Sequence, residues 1–178
     1  MKRRTLPIFA VLAGAGAAIG AAAQDAPFGG PEEVEYASSL WQTLAGANLV
    51  ADDPIRAMPY QGREPHGAIL EYFEQSVTVA GTEGLAIVKK NYGGEDLARE
   101  QVLREPGEYL ESITVMFRRE QGYDPENQNW FWAKYNPDGS LQASPEGMSL
   151  AGPVAGCIEC HSAAPGGDYV YSYDLAQH

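Results

Sequence analysis

Two thiols and an imidazole stand together near the carboxyl end of the chain, in the run Cys157-Ile158-Glu159-Cys160-His161, and these are its only cysteines. Two cysteines two residues apart can each add across a vinyl group of a haem, and a histidine directly after the second is then held under the iron as an axial ligand. That is the attachment pattern of c-type haems. Three other uses of the same residues compete with it. A redox dithiol shares the spacing, but belongs early in a chain within a βαβ context that is missing here. Zinc wants four protein ligands in a closed site, and beyond the two cysteines the chain has only His66, His161 and His178. A disulfide across two residues closes too small a loop to stabilise much.

Seventeen residues follow His161 and none is methionine. A sixth ligand to an iron at His161 would have to come from upstream, from Met58, Met116, Met148 or His66. Met116 lies in the alternating run Ser-Ile-Thr-Val-Met-Phe, a setting that suits a core residue. The simpler expectation is an open iron, the coordination of a catalytic or gas-binding haem rather than of an electron relay.

The elements that must position this motif are legible upstream. Pro31, Glu32 and Glu33 mark a helix start. Ala37, Leu40, Trp41 and Leu44 follow at helical spacing, so one amphipathic helix is expected. After a loop rich in proline and glycine, the segments 66–73, 76–81, 84–92, 109–119 and 130–135 are short, rich in β-branched and aromatic residues and separated by turn material, and read as strands. Asn136-Pro137-Asp138-Gly139 should turn the last of them into a hairpin with Ser140–Ala143. The segment between the third and fourth strands has room for a helical turn or two. The fold class is therefore α+β, a small antiparallel β-sheet with flanking helices and one haem c near the carboxyl terminus, and not a four-helix bundle. Phe73, Phe117, Trp130 and Trp132 are candidates for lining a pocket, although strand aromatics also serve as core.

Residues 1–23 have a basic start, a short apolar run and small residues at Ala21 and Ala23, the pattern of a secretory signal peptide. Residues 24–65 then form an N-terminal helix and loop leading into the domain, and residues 66–178 the haem domain. Arg3-Arg4 hints at export of a folded chain, whereas haem attachment to cysteines after translocation favours the general secretory route. The leader carries Lys2, Arg3 and Arg4 and no acid, so its removal leaves 9 basic against 24 acidic residues, a net charge of −15. Such a surface repels nucleic acid and anionic lipid. No later apolar run reaches the length of a bilayer span.

The runs SITVMFRREQGYDPENQNWFWAKYNPDG and VAGCIECHSAAPGGDYVYS, with HGAILEYF and GLAIVKKNY before them, resemble the cytochrome P-460 family over about His66 to Tyr173. The resemblance implies a small antiparallel sheet holding one c-type haem, a periplasmic location, and oxidation of hydroxylamine toward nitrous oxide or a more oxidised nitrogen product, with electrons passing to a periplasmic acceptor. It implies thioether bonds from Cys157 and Cys160, iron ligation by His161, and an added bond from a lysine to the porphyrin edge. The lysine of the family's Gly-x-x-x-Val-Lys strand falls on Lys89, which alone would read as a solvated strand residue. By strand alternation Lys89 shares a face with Leu85 and Ile87, and Lys90 with Ala86 and Val88, and the bulkier face is expected to be both core and haem side. Hydroxylamine-oxidising members place an acid a few positions before the first cysteine, where it takes protons from substrate. Here residues 149–156, SLAGPVAG, hold no carboxylate, and Glu146 is the nearest acid upstream. The alternatives are a nitric-oxide-binding protein like the cytochromes c′-beta, without turnover, or an electron carrier. Relatives are commonly dimeric, so a homodimer is a further expectation.

Overall fold

The computed structural model describes residues 27–171; the leader 1–23 and the tail with His178 lie outside the described residues. Pro31 opens α1 (Pro31–Gly46), with Glu32 and Glu33 in its first turn at the positive end of the helix dipole. Ala37, Leu40 and Leu44 are fully buried, so the apolar stripe read from the sequence is the packing face.

Six strands follow: β1 (Tyr60–Gln61), β2 (Ile69–Val79), β3 (Thr82–Tyr92), β4 (Leu110–Arg118), β5 (Trp130–Tyr135) and β6 (Ala151–Gly152). They pair antiparallel in chain order, a simple meander. Two short helices, α2 (Arg99–Arg104) and α3 (Pro106–Tyr109), bridge β3 and β4, and α4 (Ala155–His161) follows β6. The α+β class with an antiparallel sheet and flanking helices is thus observed. Residues 66–73 and 76–81, which the pattern separates into two strands, are one, and His66 to Ala68 precede it. Glu74, Gln75 and Ser76 are exposed, yet they pair with Ile87, Ala86 and Leu85. A strand keeps its ladder through a polar stretch because pairing uses backbone groups, whereas the sequence pattern registers only side chains. The hairpin to β3 turns on Ala80 (φ 48°) and Gly81 (φ 86°), the doubly positive pair of a type I′ turn. At 136–139 the expected turn forms, with Asn136 N–H donating to Ser140 O at 2.8 Å. Its return arm is no full strand, making single bridges at Leu141 and Ala143.

Strand alternation divides the side chains between two layers. One face carries Phe73, Val77, Ala86, Val88, Ile113, Val115, Phe117, Phe131, Ala133 and Tyr135, packed with Ala37, Leu40 and Leu44 of α1 into the larger core. Tyr135 O–H donates to Ala37 O across that layer at 2.8 Å. The opposite face carries Ile87, Met116, Trp130 and Trp132 with Val154, against which Cys157, Ile158 and Tyr169 pack. In Trp130–Tyr135 the two tryptophans therefore face α4 while Phe131, Ala133 and Tyr135 face α1. Two expectations are corrected here. Phe73 and Phe117 belong to the α1 side and line nothing near the cysteines, and the larger core lies on the Lys90 face rather than the Lys89 face. Counting bulk on β3 alone misled, because α1 supplies most of the apolar volume on the other side.

Where Lys90 enters the core it is neutralised. Glu71 is fully buried and accepts hydrogen bonds from Arg56 Nε at 2.7 Å and Tyr92 O–H at 2.9 Å, with Lys90 Nζ 3.9 Å away. Lys90 itself donates to Ile55 O at 2.7 Å and lies 4.5 Å from the centre of the Phe73 ring. This cluster ties residues 55–56 to the start of β2 and the end of β3.

Candidate functional site

Helix α4 carries the whole motif in seven residues, AGCIECH. Cys157 is partly buried against the sheet, Cys160 is exposed, and the two are not bonded to each other. Burial pushes the Cys157 thiol up to about 11. A redox dithiol is activated by the opposite shift, so the pair is not poised for thiol exchange. Among the described residues no three His, Cys, Asp or Glu side chains gather as a metal cluster.

His161 ends α4 with its ring buried against the sheet. Trp132 meets it edge-on at 4.8 Å between ring centres, Tyr171 at 5.4 Å and His66 at 5.9 Å. Its Nδ1 lies 2.7 Å from Tyr169 O. A carbonyl can only accept, so Nδ1 carries the proton and the lone pair of the neutral ring sits on Nε2. Fixing the tautomer through a backbone carbonyl is how a protein prepares an imidazole to bind metal. Burial, with a smaller contribution from the Lys89 charge, lowers the pKa of His161, which keeps that lone pair free.

The carbonyl is delivered by the loop after α4. Gly166 (φ 93°), Gly167 (φ 72°) and Tyr169 (φ 67°) turn the chain back over the helix, Tyr169 in a conformation uncommon for a residue with a side chain. Three residues between β4 and β5 or at the start of β5 hold it. Trp130 Nε1 donates to Asp168 O at 3.0 Å, Gln128 Nε2 to Gly167 O, and Tyr169 O–H to Asn127 Oδ1 at 3.2 Å. The role of Asp168–Tyr171 went unread in the sequence, although Gly166-Gly167 after the motif marks a turn there.

Lys89 lies on the α4 side of the sheet, 7% exposed. Among the described residues its amine has no hydrogen bond or ion pair, and it lies 6.0 Å from the centre of the Tyr72 ring. Burial pulls its pKa down to about 8, so an appreciable share of the amine is uncharged and nucleophilic at neutral pH. Its charge acts on both His66 and His161, which places the three groups in one neighbourhood. Lys90, one residue on, faces the opposite layer.

Of the upstream candidates for a sixth ligand, Met58 is 71% exposed, and Met116 and Met148 belong to the apolar cluster under α4. His66 alone has a ring contact with His161. Glu146 is exposed on a turn before β6.

The residues therefore fit a haem on the α4 face of the sheet: two unlinked thiols on one short helix, an imidazole with a prepared Nε2, and an apolar floor of Ile87, Met116 and Trp132. A sheet-borne site of this kind defines the class, a haem cytochrome built on β-structure. Residues 68–172, well over half of the chain, match the family model described as Cytochrome P460, and the chain belongs to that family of haem-binding cytochromes. Neither a curated protein nor a solved structure matches it. No helix among the described residues is long and apolar enough to cross a membrane.

Proposed function

We propose that the protein is a periplasmic cytochrome with one haem c, bonded through Cys157 and Cys160 and ligated by His161, which oxidises hydroxylamine and passes the electrons to a periplasmic acceptor. The observation that carries this reading is Lys89: a buried amine with no hydrogen bond or ion pair among the described residues, on the sheet face that bears His161. An unpaired buried lysine costs stability and is retained where its amine has a use. A bond from that amine to the haem edge is the use that fits its place. The haem, when bound, supplies the electron-accepting centre that removes electrons from hydroxylamine. Trp132 and Tyr171 pack the sides of the His161 ring, and Tyr169 O holds its proton at Nδ1.

The exposed position of Glu146 favours a second reading, in which nitric oxide is bound and held without turnover. Oxidation of hydroxylamine releases protons with the electrons and needs a group to take them. The two readings separate in one assay of the mature, haem-loaded protein with hydroxylamine and an artificial oxidant. Catalytic consumption of the oxidant with formation of nitrous oxide or nitrite, lost at least about tenfold in Lys89→Met at equal haem content, supports the enzyme. Tight nitric oxide binding with no oxidant consumed supports the binding protein.

A further inference from the structure

The loop before β2 is pinned so that it delivers one side chain to the site. Gly62 N–H donates to Ala68 O at 2.7 Å, Gln61 Nε2 to the same oxygen at 2.9 Å, and His66 N–H to Arg63 O at 3.0 Å. Gly67 has φ 115°, and a Cβ there would meet Tyr92 O at 2.8 Å, so only glycine lets the chain pass this close to β3. His66 lies between these anchors. Its Nδ1 is 3.2 Å from Thr114 Oγ1, which also accepts from Asn91 Nδ2 at 3.3 Å, and Asn91 Nδ2 in turn bonds Ser112 Oγ at 3.1 Å. Such a chain of polar side chains on an otherwise apolar face orients the imidazole, just as Tyr169 O orients His161.

Both imidazoles have Nδ1 at a fixed oxygen: the Tyr169 carbonyl can only accept from His161, whereas the Thr114 hydroxyl leaves the Nε2 lone pair of His66 free when Nδ1 is the donor. Neither Nε2 has a hydrogen-bond partner among the described residues. Their ring centres are 5.9 Å apart with the planes at 83°. Two imidazoles on one metal, with metal–nitrogen bonds of about 2.0 Å and each ring adding about 1.2 Å to its centre, stand roughly 6 Å apart. A metal imposes no fixed angle between the planes of two imidazoles bound to it, so a near-perpendicular pair is compatible with one shared metal.

We propose that His66 would hold the haem iron as a second protein ligand together with His161, so that small molecules would reach the iron only by displacing it. The inference rests on the haem reading of the site but not on hydroxylamine turnover. It replaces the expectation of an open iron with a gated one. With the loop backbone tied, rotation of the His66 side chain is what would take its ring away. Ligand affinity would then be reduced by the fraction of time His66 is bound.

The test uses the mature, haem-loaded protein without substrate. Its ferric optical and electron paramagnetic resonance spectra should be low-spin with two nitrogen axial ligands. His66→Ala at equal haem content should turn high-spin, bind azide about ten- to a hundredfold more tightly, and return to low-spin on adding free imidazole. Met58→Leu, at an exposed methionine outside the site, should leave the wild-type spectrum in place. A high-spin wild type, or a low-spin His66→Ala, overturns the proposal. Carbon monoxide binding to the ferrous wild type gives a check that needs no variant. A rate that levels off at high carbon monoxide supports departure of His66, and a rate that stays proportional to concentration contradicts it. Failure of hydroxylamine turnover alters none of these readouts, so the two proposals fail separately.

Discussion

Replacing Glu71 by Gln removes a buried anion on the α1 side while keeping the volume of the side chain. Lys90 is then left with its charge, Ile55 O and the face of Phe73. At the observed 3.9 Å and an effective dielectric constant of about 20, the Glu71–Lys90 attraction is roughly 4 kcal/mol. The Arg56 side chain, at 32% exposure, regains water when released, so its share is discounted. The expected loss is about 3 kcal/mol, the lower end of the cost of breaking a buried pair from one side. Against a total stability of about 5–15 kcal/mol this is large. It should lower Tm by about 6–12 °C, at roughly 2–4 °C per kcal/mol for a chain of this size. The pH dependence gives a sharper signature. Burial holds the Lys90 pKa down at about 8, partly offset by Glu71. A cation whose folded pKa lies below its unfolded value costs stability while charged, and its attraction to Glu71 exists only below that folded pKa. Because loss of Glu71 lowers the Lys90 pKa further, the deficit of Glu71→Gln should be larger at pH 6 than at pH 7 and shrink as pH rises through about 8. Urea unfolding followed by circular dichroism at several pH values measures it, with the haem spectrum unchanged because the cluster lies across the sheet from α4. A deficit under about 1 kcal/mol at neutral pH, or one that does not vary with pH, would refute the reasoning.

Trp130→Phe removes the donor to Asp168 O while leaving a ring under α4; a loss of about 1–3 kcal/mol is expected in denaturant unfolding, with the haem absorption altered as Tyr169 O loosens from His161. Tyr135→Phe deletes one hydrogen bond between α1 and β5 and should cost about 0.5–1.5 kcal/mol in the same measurement, leaving the haem spectrum as it was. Cys160→Ser should leave haem held by a single thioether, read as the absorption of its reduced pyridine complex, and Cys157→Ser with Cys160→Ser should leave none covalently bound.

Much of this architecture was legible because its signals are local. Pro31 with two following acids and the stripe from Ala37 to Leu44 define α1, and alternation in Ser112–Phe117 and Trp130–Tyr135 defines strands that the sheet contains. The motif at Cys157–His161 was visible for the same reason, as five adjacent residues. What escaped depends on distant partners. Phe73 and Phe117 look like any other strand aromatics until α1 is known to cover their face. The continuity of β2 through Glu74, Gln75 and Ser76 is set by backbone pairing with β3. His66 sits 95 residues from His161, and nothing local shows that Thr114 and Gly67 bring it there. Lys89 was separated from Lys90 by the family's Gly-x-x-x-Val-Lys strand and by alternation, yet the bulk argument added to them pointed to the wrong layer as core.

The central claim, that Cys157, Cys160 and Lys89 all bond one haem, is tested most directly by mass spectrometry of the proteolysed mature protein. The account predicts haem carried by a peptide containing Cys157 to His161 that remains joined, through the haem, to a peptide containing Lys89. Haem found only on the Cys157–His161 peptide, with the Lys89 peptide recovered free and unmodified, would contradict it.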